Sequence, residues 1–477
     1  MATGLILLPL IVAALAALTP ANRWRPWLLP AGAVLHLGLL CLCLQQHTIS
    51  EWDGWLVLDP LGKVFLLLIG ILYTLCMFYA PAYLRLRADR PNRVMCSCLL
   101  AGLSMMTLVI LSHHLGLMWV AMEATTLASA PALTFNRNPR SLEATWKYLV
   151  ICSVGIALAL LGSFFLAYAS LYAGQPTSLL FEDLVRQAPR LASPWLHAAF
   201  ILLLVGYGTK MGLAPMHTWK PDAYGESPGL VGALLAGGLT NCAFLAVLRF
   251  YQIGQAAGDV VFMRRILIFM GLLSMATAAL FMVRQRDFKR LLAYSSVEHM
   301  GILVLALGIG GAGIFAMLLH MLNNGLTKGV LFLSAGNIHR AYASKFTDDV
   351  SGALRRVPVS GALFLAGFLA MTGSPPFGPF ISEFSILNAA LGSGQYLTGG
   401  LFVALLALVF LAMGVTVLAV VLGKPGTAAI ATPFREGFWF AAPVVVLLGL
   451  VLMLGLFIPS PLTGLLHDAA TFLEPSR

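Results

Sequence analysis

Charged residues are scarce in this sequence. Only 10% of its 477 residues are Asp, Glu, Lys or Arg, whereas 59% are hydrophobic. An ordinary soluble protein has about 25% charged residues. The sequence therefore predicts an all-α, polytopic membrane protein, because many spanning helices are the way for such a chain to bury its surface in lipid. A soluble enzyme, a fibrous protein and a disordered chain are excluded.

Motifs for metals and cofactors are missing as well. The seven cysteines lie within or at the ends of apolar segments and form no C-x-x-C pair. The adjacent His113 and His114 do not have the spacing of haem ligands, and we interpret the glycine-rich run 308–311 as packing glycines of apolar helices. We predict no metal, no cofactor and no catalytic residue on this chain.

Apolar runs, cut at clusters of charge and turn residues, predict about fourteen transmembrane helices. The run 357–393 is too long for one straight span, and Gly373 and three prolines interrupt it. We interpret it as one broken helix. The fourteen segments are 2–18, 27–44, 62–80, 97–111, 115–133, 147–171, 197–216, 229–251, 262–283, 291–309, 313–338, 357–393, 399–422 and 438–458.

Basic residues are distributed unevenly between the loops on the two sides of these segments. Nineteen Lys and Arg, Lys220 and Lys424 among them, fall in one set of gaps, and five, including Arg477, fall in the other. The positive-inside rule then places both termini on the outer, periplasmic side of a bacterial cytoplasmic (inner) membrane. The net charge of +10 thus reflects topology, and we predict no nucleic-acid partner.

Two segments are broken near proline, one at 212–215 and one at 373–376, about 160 residues apart. Paired broken helices in corresponding halves are typical of transporters built from inverted repeats. Two coincidental kinks are the alternative.

Four ionisable residues lie deep within apolar segments, namely Glu123, Lys210, Lys328 and Glu383. Each costs roughly 2.5 to 3.5 kcal/mol at the centre of a spanning helix unless it is paired or hydrated. A chain of protonatable sites explains them, and buried salt bridges that hold helices together are the structural alternative. Lys63 and Arg249 lie near segment ends, where we expect their side chains to snorkel to the headgroups.

Histidines strengthen the interpretation as a proton relay. His320, Asn324 and Lys328 follow one another at intervals of four residues, so they form one polar stripe about 12 Å long on a helix. His217 and His299 add titratable groups on neighbouring segments. A lone buried histidine is usually a core residue, but this grouping favours function.

Several motifs resemble one known family, the antiporter-like membrane subunits of respiratory complex I, of group 4 hydrogenases and of multisubunit Na+/H+ antiporters. Within it they look most like component F of hydrogenase-4. The resemblance covers roughly residues 95 to 425. It is carried by Glu123 in 117–126, GYGTKMGLAPMHTW at 206–219, DFKRLLAYSSVEHMG at 287–301, His320 with Lys328, and GSPPFGPFISE at 373–383.

The resemblance implies a single membrane domain, 1–477, with inverted five-helix repeats at 97–251 and 262–422, each containing a broken helix, between flanking helices in 1–96 and 423–477. It also implies a polar axis at the membrane midplane. Glu123 and Lys210 match the family's Glu–Lys pair. By the same matching, His299, His320 and Lys328 correspond to its central relay and Glu383 to its terminal charge.

Some positions depart from the family pattern. Asn324 replaces a frequent second histidine, Lys220 a usual leucine and Tyr224 a frequent histidine, while Asn241 stands where some members have Lys or His. Asn and Tyr do not titrate near neutral pH, so a relay at those points must run through water.

The resemblance therefore implies a proton-translocating subunit of a redox-driven complex such as hydrogenase-4, formate hydrogenlyase or a complex I-like enzyme. Its partners would be other membrane subunits and peripheral redox subunits, because the chain has no redox motif of its own. Two alternatives stay open. One is a Na+/H+ antiporter subunit, or an autonomous antiporter, and the other is a structural anchor for a catalytic arm.

Overall fold

A computed structural model describes residues 1–423, 432 and 434–474, which are mostly helical; Lys424 and Arg477 lie outside the described residues. The first half contains α1 (Ala2–Leu18), α2 (Leu28–Leu44), α3 (Pro60–Leu86), α4 (Arg93–Leu111), α5 (Leu115–Leu133), α6 (Pro139–Tyr172), α7 (Phe181–Gln187), α8 (Ser193–Met211), α9 (Trp219–Glu226), α10 (Gly229–Leu234) and α11 (Thr240–Ala256). The second contains α12 (Val260–Met282), α13 (Phe288–Ile309), α14 (Ala312–Tyr342), α15 (Ala353–Arg356), α16 (Pro358–Met371), α17 (Gly378–Gly392), α18 (Tyr396–Leu422), α19 (Phe438–Leu456) and α20 (Ser460–Leu473).

The prediction of a polytopic, all-helical membrane protein is confirmed. Each of the fourteen predicted segments coincides with a helix or with a pair of helices. Within the described residues, nine helical stretches are long and apolar enough to cross a membrane, whereas α1 and α16 are apolar but shorter. The helices α5, α8 and α14 fall outside the nine, and these are the helices that carry Glu123, Lys210 and Lys328.

Several small elements, the short helices α9 and α15 among them, were not anticipated. Strands β1 (Ile49–Glu51) and β2 (Leu56–Leu58) form an antiparallel hairpin in which Ile49 pairs with Leu58. The short helix α7 follows α6, and α20 lies after the last predicted segment. These elements are too short, or too evenly mixed in polarity, to stand out in a search for spanning runs.

Both helices that were predicted to be broken are interrupted where expected. Helix α8 ends at Met211, and Gly212 follows with a φ of +81°, a left-handed conformation that glycine adopts without strain. Helix α16 ends at Met371, and Gly373 has a φ of +64° before α17 begins. The inverted relation between the two halves stays a prediction.

The centre of the bundle is formed by α3, α13, α14 and the α10–α11 pair, which a π-helical turn at Leu235–Leu239 connects. Peripheral helices pack closely where small residues face each other. A Cβ on Gly206 of α8 would lie 2.6 Å from the backbone nitrogen of Ala159 on α6. Close contact of this kind is how helices associate in lipid, where no hydrophobic effect drives them together.

We expect Gly206→Val to lower the stability of the purified protein by about 1–3 kcal/mol, because the new side chain would force α6 and α8 apart. Gly400→Val is the matched control, since a Cβ on Gly400 of α18 meets nothing within 4 Å. Thermal unfolding in one detergent measures the difference. Equal melting temperatures for the two variants would contradict the packing role of Gly206.

Candidate functional site

The first cluster of the site joins Glu123 on α5 to Lys210 on α8 through a hydroxyl group. The Lys210 ammonium is completely buried and donates to Thr126 Oγ1 at 2.6 Å. Thr126 Oγ1 lies 3.4 Å from Glu123 Oε2, and Ser153 donates to Glu123 Oε1 at 2.6 Å. The predicted Glu–Lys pair is thus brought together, with Thr126 between the two charges.

Tyr148 on α6 completes the surroundings of Lys210, and the sequence analysis did not select it. Lys210 Nζ donates to the Tyr148 hydroxyl at 2.9 Å and lies 4.7 Å from the centroid of its ring. The Tyr148 hydroxyl lies 2.7 Å from Ser129 Oγ. Hydroxyls and an aromatic face therefore stabilise the buried cation. A tyrosine inside an apolar segment was the available signal.

Lys220 corrects the sequence analysis, which counted it among the basic residues of loops. It lies on the short helix α9 and is completely buried. Its Nζ donates to Ser296 Oγ on α13 at 3.1 Å. A Cβ on Gly212 would lie 2.2 Å from Lys220 Cε, so the lysine passes directly against the backbone of the α8 break.

Trp219 fixes the position of the segment between α8 and α9. Its indole nitrogen donates to the carbonyl of Thr209 at 2.8 Å, and its ring packs 5.0 Å from the ring of Tyr148. This contact fixes the start of α9 against the end of α8. As a result Lys220, the next residue, points into the protein and not toward the membrane surface.

His217 lies in the same segment but is not joined to the other predicted relay residues. Its ring packs 6.3 Å from Phe281 and 6.2 Å from Tyr294, and Nδ1 has no hydrogen-bond partner among the described residues. The geometry places His217 beside the axis, in an aromatic environment.

The second cluster surrounds Lys328 on α14 and the two histidines. Lys328 Nζ donates to Ser295 Oγ, the neighbour of the serine that binds Lys220. His299 Nδ1 and His320 Nε2 are 3.0 Å apart, and the two rings stack with centroids 5.1 Å apart. All of these side chains are buried.

The chain of contacts continues to α17. His320 Nδ1 lies 3.0 Å from Ser382 Oγ, which precedes Glu383. His299, His320 and Glu383 each place one ring nitrogen or carboxylate oxygen within 4.8 Å of the other two. Glu383, the predicted terminal charge, therefore lies next to the two histidines. Such a triad is also close enough to hold a cation, which the sequence did not suggest.

Glu383 packs against the break between α16 and α17. A Cβ on Gly373 would lie 2.2 Å from Glu383 Oε2. Both residues line a cavity of about 260 Å³, whose other walls are mostly aromatic and aliphatic residues of α17 and α18. The Oε1 atom has no hydrogen-bond partner in the described part of the chain.

Asn324 has an unusual environment. It is completely buried between His320 and Lys328 in the sequence of α14, and neither atom of its amide group bonds to a described residue. A buried amide without partners costs on the order of 1–3 kcal/mol per group. Water that bonds to both atoms would remove this cost.

Other departures from the family pattern are also buried. The Asn241 amide donates to the Gly237 carbonyl at 2.8 Å, whereas its oxygen and the Tyr224 hydroxyl have no partner among the described residues. Glu298 on α13, which the sequence analysis passed over, is buried with Oε2 4.0 Å from His299 Nε2.

The expectation that Lys63 and Arg249 snorkel to the headgroups is wrong. Arg249 is only 2% exposed and forms an ion pair with Asp59, the N-cap of α3. Lys63 is buried as well and donates to the backbone carbonyls of Gln46 and His47. Both cations serve local structure on the side of the hairpin.

Comparison with known proteins identifies the family of this chain. The family model described as "NADH:quinone oxidoreductase/Mrp antiporter, TM" matches residues 112–408. A "Hydrogenase-4 component F homolog" from Methylacidiphilum infernorum is 36% identical over 437 residues, which cover 88% of this chain and 89% of the relative. An "NADH-quinone oxidoreductase subunit N" from Desulforudis audaxviator is 30% identical, over 84% and 82% of the two chains.

Solved structures share the fold. A chain of respiratory complex I from Thermus thermophilus superimposes with a TM-score of 0.78 at 27% identity, covering 96% of this chain and 97% of that one. A chain of an archaeal membrane-bound sulfane sulfur reductase gives a TM-score of 0.89 at 22% identity, covering 99% and 97%. The chain therefore belongs to the NADH:quinone oxidoreductase/Mrp antiporter transmembrane family, as an antiporter-like, multi-pass membrane subunit.

Proposed function

We propose that this chain translocates protons laterally through the membrane interior, as one subunit of a multisubunit redox-driven complex. One observation carries the proposal, namely that Lys220 and Lys328 bind the adjacent hydroxyls of Ser296 and Ser295. These two serines connect Lys220, which lies against the α8 break, to Lys328 of the second cluster. Salt bridges that hold helices together would instead pair each lysine directly with a carboxylate, whereas Lys220 and Lys328 bond to hydroxyls.

The path begins at the first cluster. A carboxylate near a buried ammonium stabilises it, so loss of the Glu123 charge would favour release of a proton from Lys210. The hydroxyls of Thr126 and Tyr148 accept from the Lys210 ammonium and preserve its position when it becomes neutral. Lys220, which lies against the α8 break, is the next site that can hold the proton.

The path continues through neutral groups that both donate and accept. Hydroxyl and imidazole groups can pass a proton without carrying a permanent charge. From Lys328 the route runs past Asn324 and through His299 and His320 to Ser382. Glu383 then exchanges protons with one aqueous phase beside the cavity at the second break.

The driving energy would come from partners. Relatives carry names such as hydrogenase-4 component and NADH-quinone oxidoreductase subunit, which supports a place beside redox subunits of a hydrogenase, formate hydrogenlyase or complex I-like assembly. A sodium site is less well supported, because the triad of His299, His320 and Glu383 offers two nitrogens where a hard cation prefers oxygen.

The orientation with both termini outside is retained in this proposal. Removing the buried Lys220 from the nineteen basic residues leaves eighteen against five, so the asymmetry still favours a cytoplasmic location of the basic loops in a bacterial inner membrane. We also propose the inverted repeats at 97–251 and 262–422, each of which contains one of the two breaks.

The central test is proton uptake per electron by the assembled complex in liposomes. We expect Lys210→Met to assemble normally and to reduce uptake by at least about tenfold, because methionine fills the volume without a protonatable group. Lys147→Met is the matched control, since Lys147 is 45% exposed and pairs with Glu143 and Asp222. Uptake at the parental level in the Lys210 variant would refute the relay.

Lys220→Leu tests the link between the clusters. We expect slower proton uptake by about tenfold with unchanged assembly, because leucine removes both the charge and the bond to Ser296. Ser296→Ala should give a smaller decrease, since it removes the acceptor but leaves the lysine. If Lys220→Leu pumps like the parent, the route does not pass through this lysine.

Asn324 tests the hydration of the second cluster. Residues eight apart on a helix are about 12 Å apart, so His320 and Lys328 need an intervening polar group or water. We expect Asn324→Leu to slow proton uptake strongly, whereas Asn324→His should stay close to the parent. Both are measured at matched expression, and equal uptake in the two variants would place the route elsewhere.

A further inference from the structure

A cavity of about 510 Å³ lies away from the proton path, where several helices end on the side of the basic loops. We call it the basic pocket; its polar lining includes Tyr83, Arg87, Arg90, Asn136 and Arg340. The lining residues are contributed by the end of α3 and the α3–α4 connection, by the α5–α6 connection, by the start of α10, by the end of α14 and by residues that precede α19. None of the lining residues within the described part of the chain is acidic.

Each of the three guanidinium groups donates to a neutral partner. Arg340 donates to the Tyr83 hydroxyl at 3.3 Å and lies over its ring. Arg87 donates to Asn136 Oδ1 at 3.2 Å, and Arg90 donates to the Phe135 carbonyl at 2.7 Å. Each guanidinium has five N–H donors, so these bonds orient the groups and leave donors for a ligand.

One carboxylate lies nearby. Asp89 is 3.4 Å from Arg87 Nε and 3.5 Å from Arg90 Nε, but its side chain is 63% exposed. An ion pair so exposed to solvent is screened and contributes little. The pocket therefore keeps a net positive charge, which favours an anion with several oxygen acceptors.

A second cavity adjoins the first and shares Arg90 with it. It has a volume of about 270 Å³, and Arg23, Arg85 and Trp27 are among its lining residues. The Arg85 guanidinium lies 5.3 Å from the centroid of the Trp27 ring. Two basic cavities thus meet at one arginine, with room for two anionic groups.

Aromatic residues locate these cavities relative to the bilayer. Trp27 and Trp439 pack edge to face with centroids 6.4 Å apart, and both are partly exposed on the protein surface. Tryptophan concentrates at membrane–water interfaces. The cavities therefore lie at the depth of lipid phosphates, and basic pockets between spanning helices at this depth suit anionic headgroups.

We propose that the two cavities bind the phosphates of an anionic phospholipid, and that a headgroup with two phosphates occupies both. Arg340 and Arg87 hold one phosphate, Arg23 and Arg85 hold the other, and Arg90 lies between them. Soluble phosphate offers the same chemistry but lacks acyl chains, so the two sources can be separated by experiment.

The experiment uses the complex purified in detergent and depleted of lipid. Cardiolipin, phosphatidylglycerol, phosphatidylcholine and inorganic phosphate are added separately, and bound lipid is counted by mass spectrometry alongside the melting temperature. We expect cardiolipin to bind and stabilise most, phosphatidylglycerol less, and the other two not at all. Arg340→Gln and Arg90→Gln should each reduce cardiolipin retention by about tenfold.

The matched control is Arg286→Gln, which changes an arginine in a basic-side loop that is 74% exposed and pairs with Asp348. Arg340→Lys keeps the charge but loses the planar fork, so it should retain an intermediate amount of lipid. Unchanged retention in folded Arg340 and Arg90 variants would overturn the proposal. If inorganic phosphate stabilised the complex and the lipids did not, the ligand would not be a lipid. If phosphatidylglycerol and cardiolipin bound equally, the ligand would not need a headgroup with two phosphates.

Discussion

The solvation of ammonium groups inside the protein is the constraint on which this structure depends. Lys210, Lys220 and Lys328 are each completely shielded by protein, and each donates to side-chain hydroxyls. A hydroxyl stabilises a cation less than a carboxylate does, but it does so without a second charge. The neutral amine can occupy the same place at little cost, because the hydroxyl can donate as well as accept. Such sites suit groups that change charge.

The broken helices supply the space that this arrangement needs. Lys220 reaches the interior because Gly212 has no side chain, and Glu383 packs in the same way against Gly373. At each break the backbone leaves the helical hydrogen-bond pattern inside the protein, which is tolerated only where other polar groups are near. At the α8 break the Thr209 carbonyl accepts from the Gly212 backbone N–H and also from the Trp219 indole N–H. Each break and its charged side chain therefore depend on each other.

Much of the fold and of the axis could be predicted from the sequence. Apolar runs located the spanning helices, and Gly373 and Pro215 marked the breaks, because these residues act locally on the backbone. Glu123, Lys210 and Lys328 were evident because a charge inside an apolar run has few explanations. The contacts of Lys220 and Lys328 with adjacent serines of α13 were not evident, because they depend on which faces of α9, α13 and α14 meet.

Lys220 shows why the remainder was hidden. Its neighbours Pro221 and Asp222 give it the appearance of a loop residue, and α9 is too short and too polar to be distinguished from a turn by periodicity. Arg249 was misjudged for the converse reason, since a position near a segment end says nothing about a partner such as Asp59. Burial of an individual side chain is a tertiary property that local pattern does not encode.

The buried cations have different partners, in agreement with the roles that we propose for them. Arg249 is paired with a carboxylate, and its planar guanidinium suits such a pair. The three axial cations are lysines, which can lose a proton, and their contacts are neutral oxygens. An ion pair at an axial position would hold the proton in place and would leave an isolated buried charge whenever the proton moved. An ion pair therefore suits the structural site beside the hairpin. A lysine that bonds to a hydroxyl suits a site along the proposed proton path.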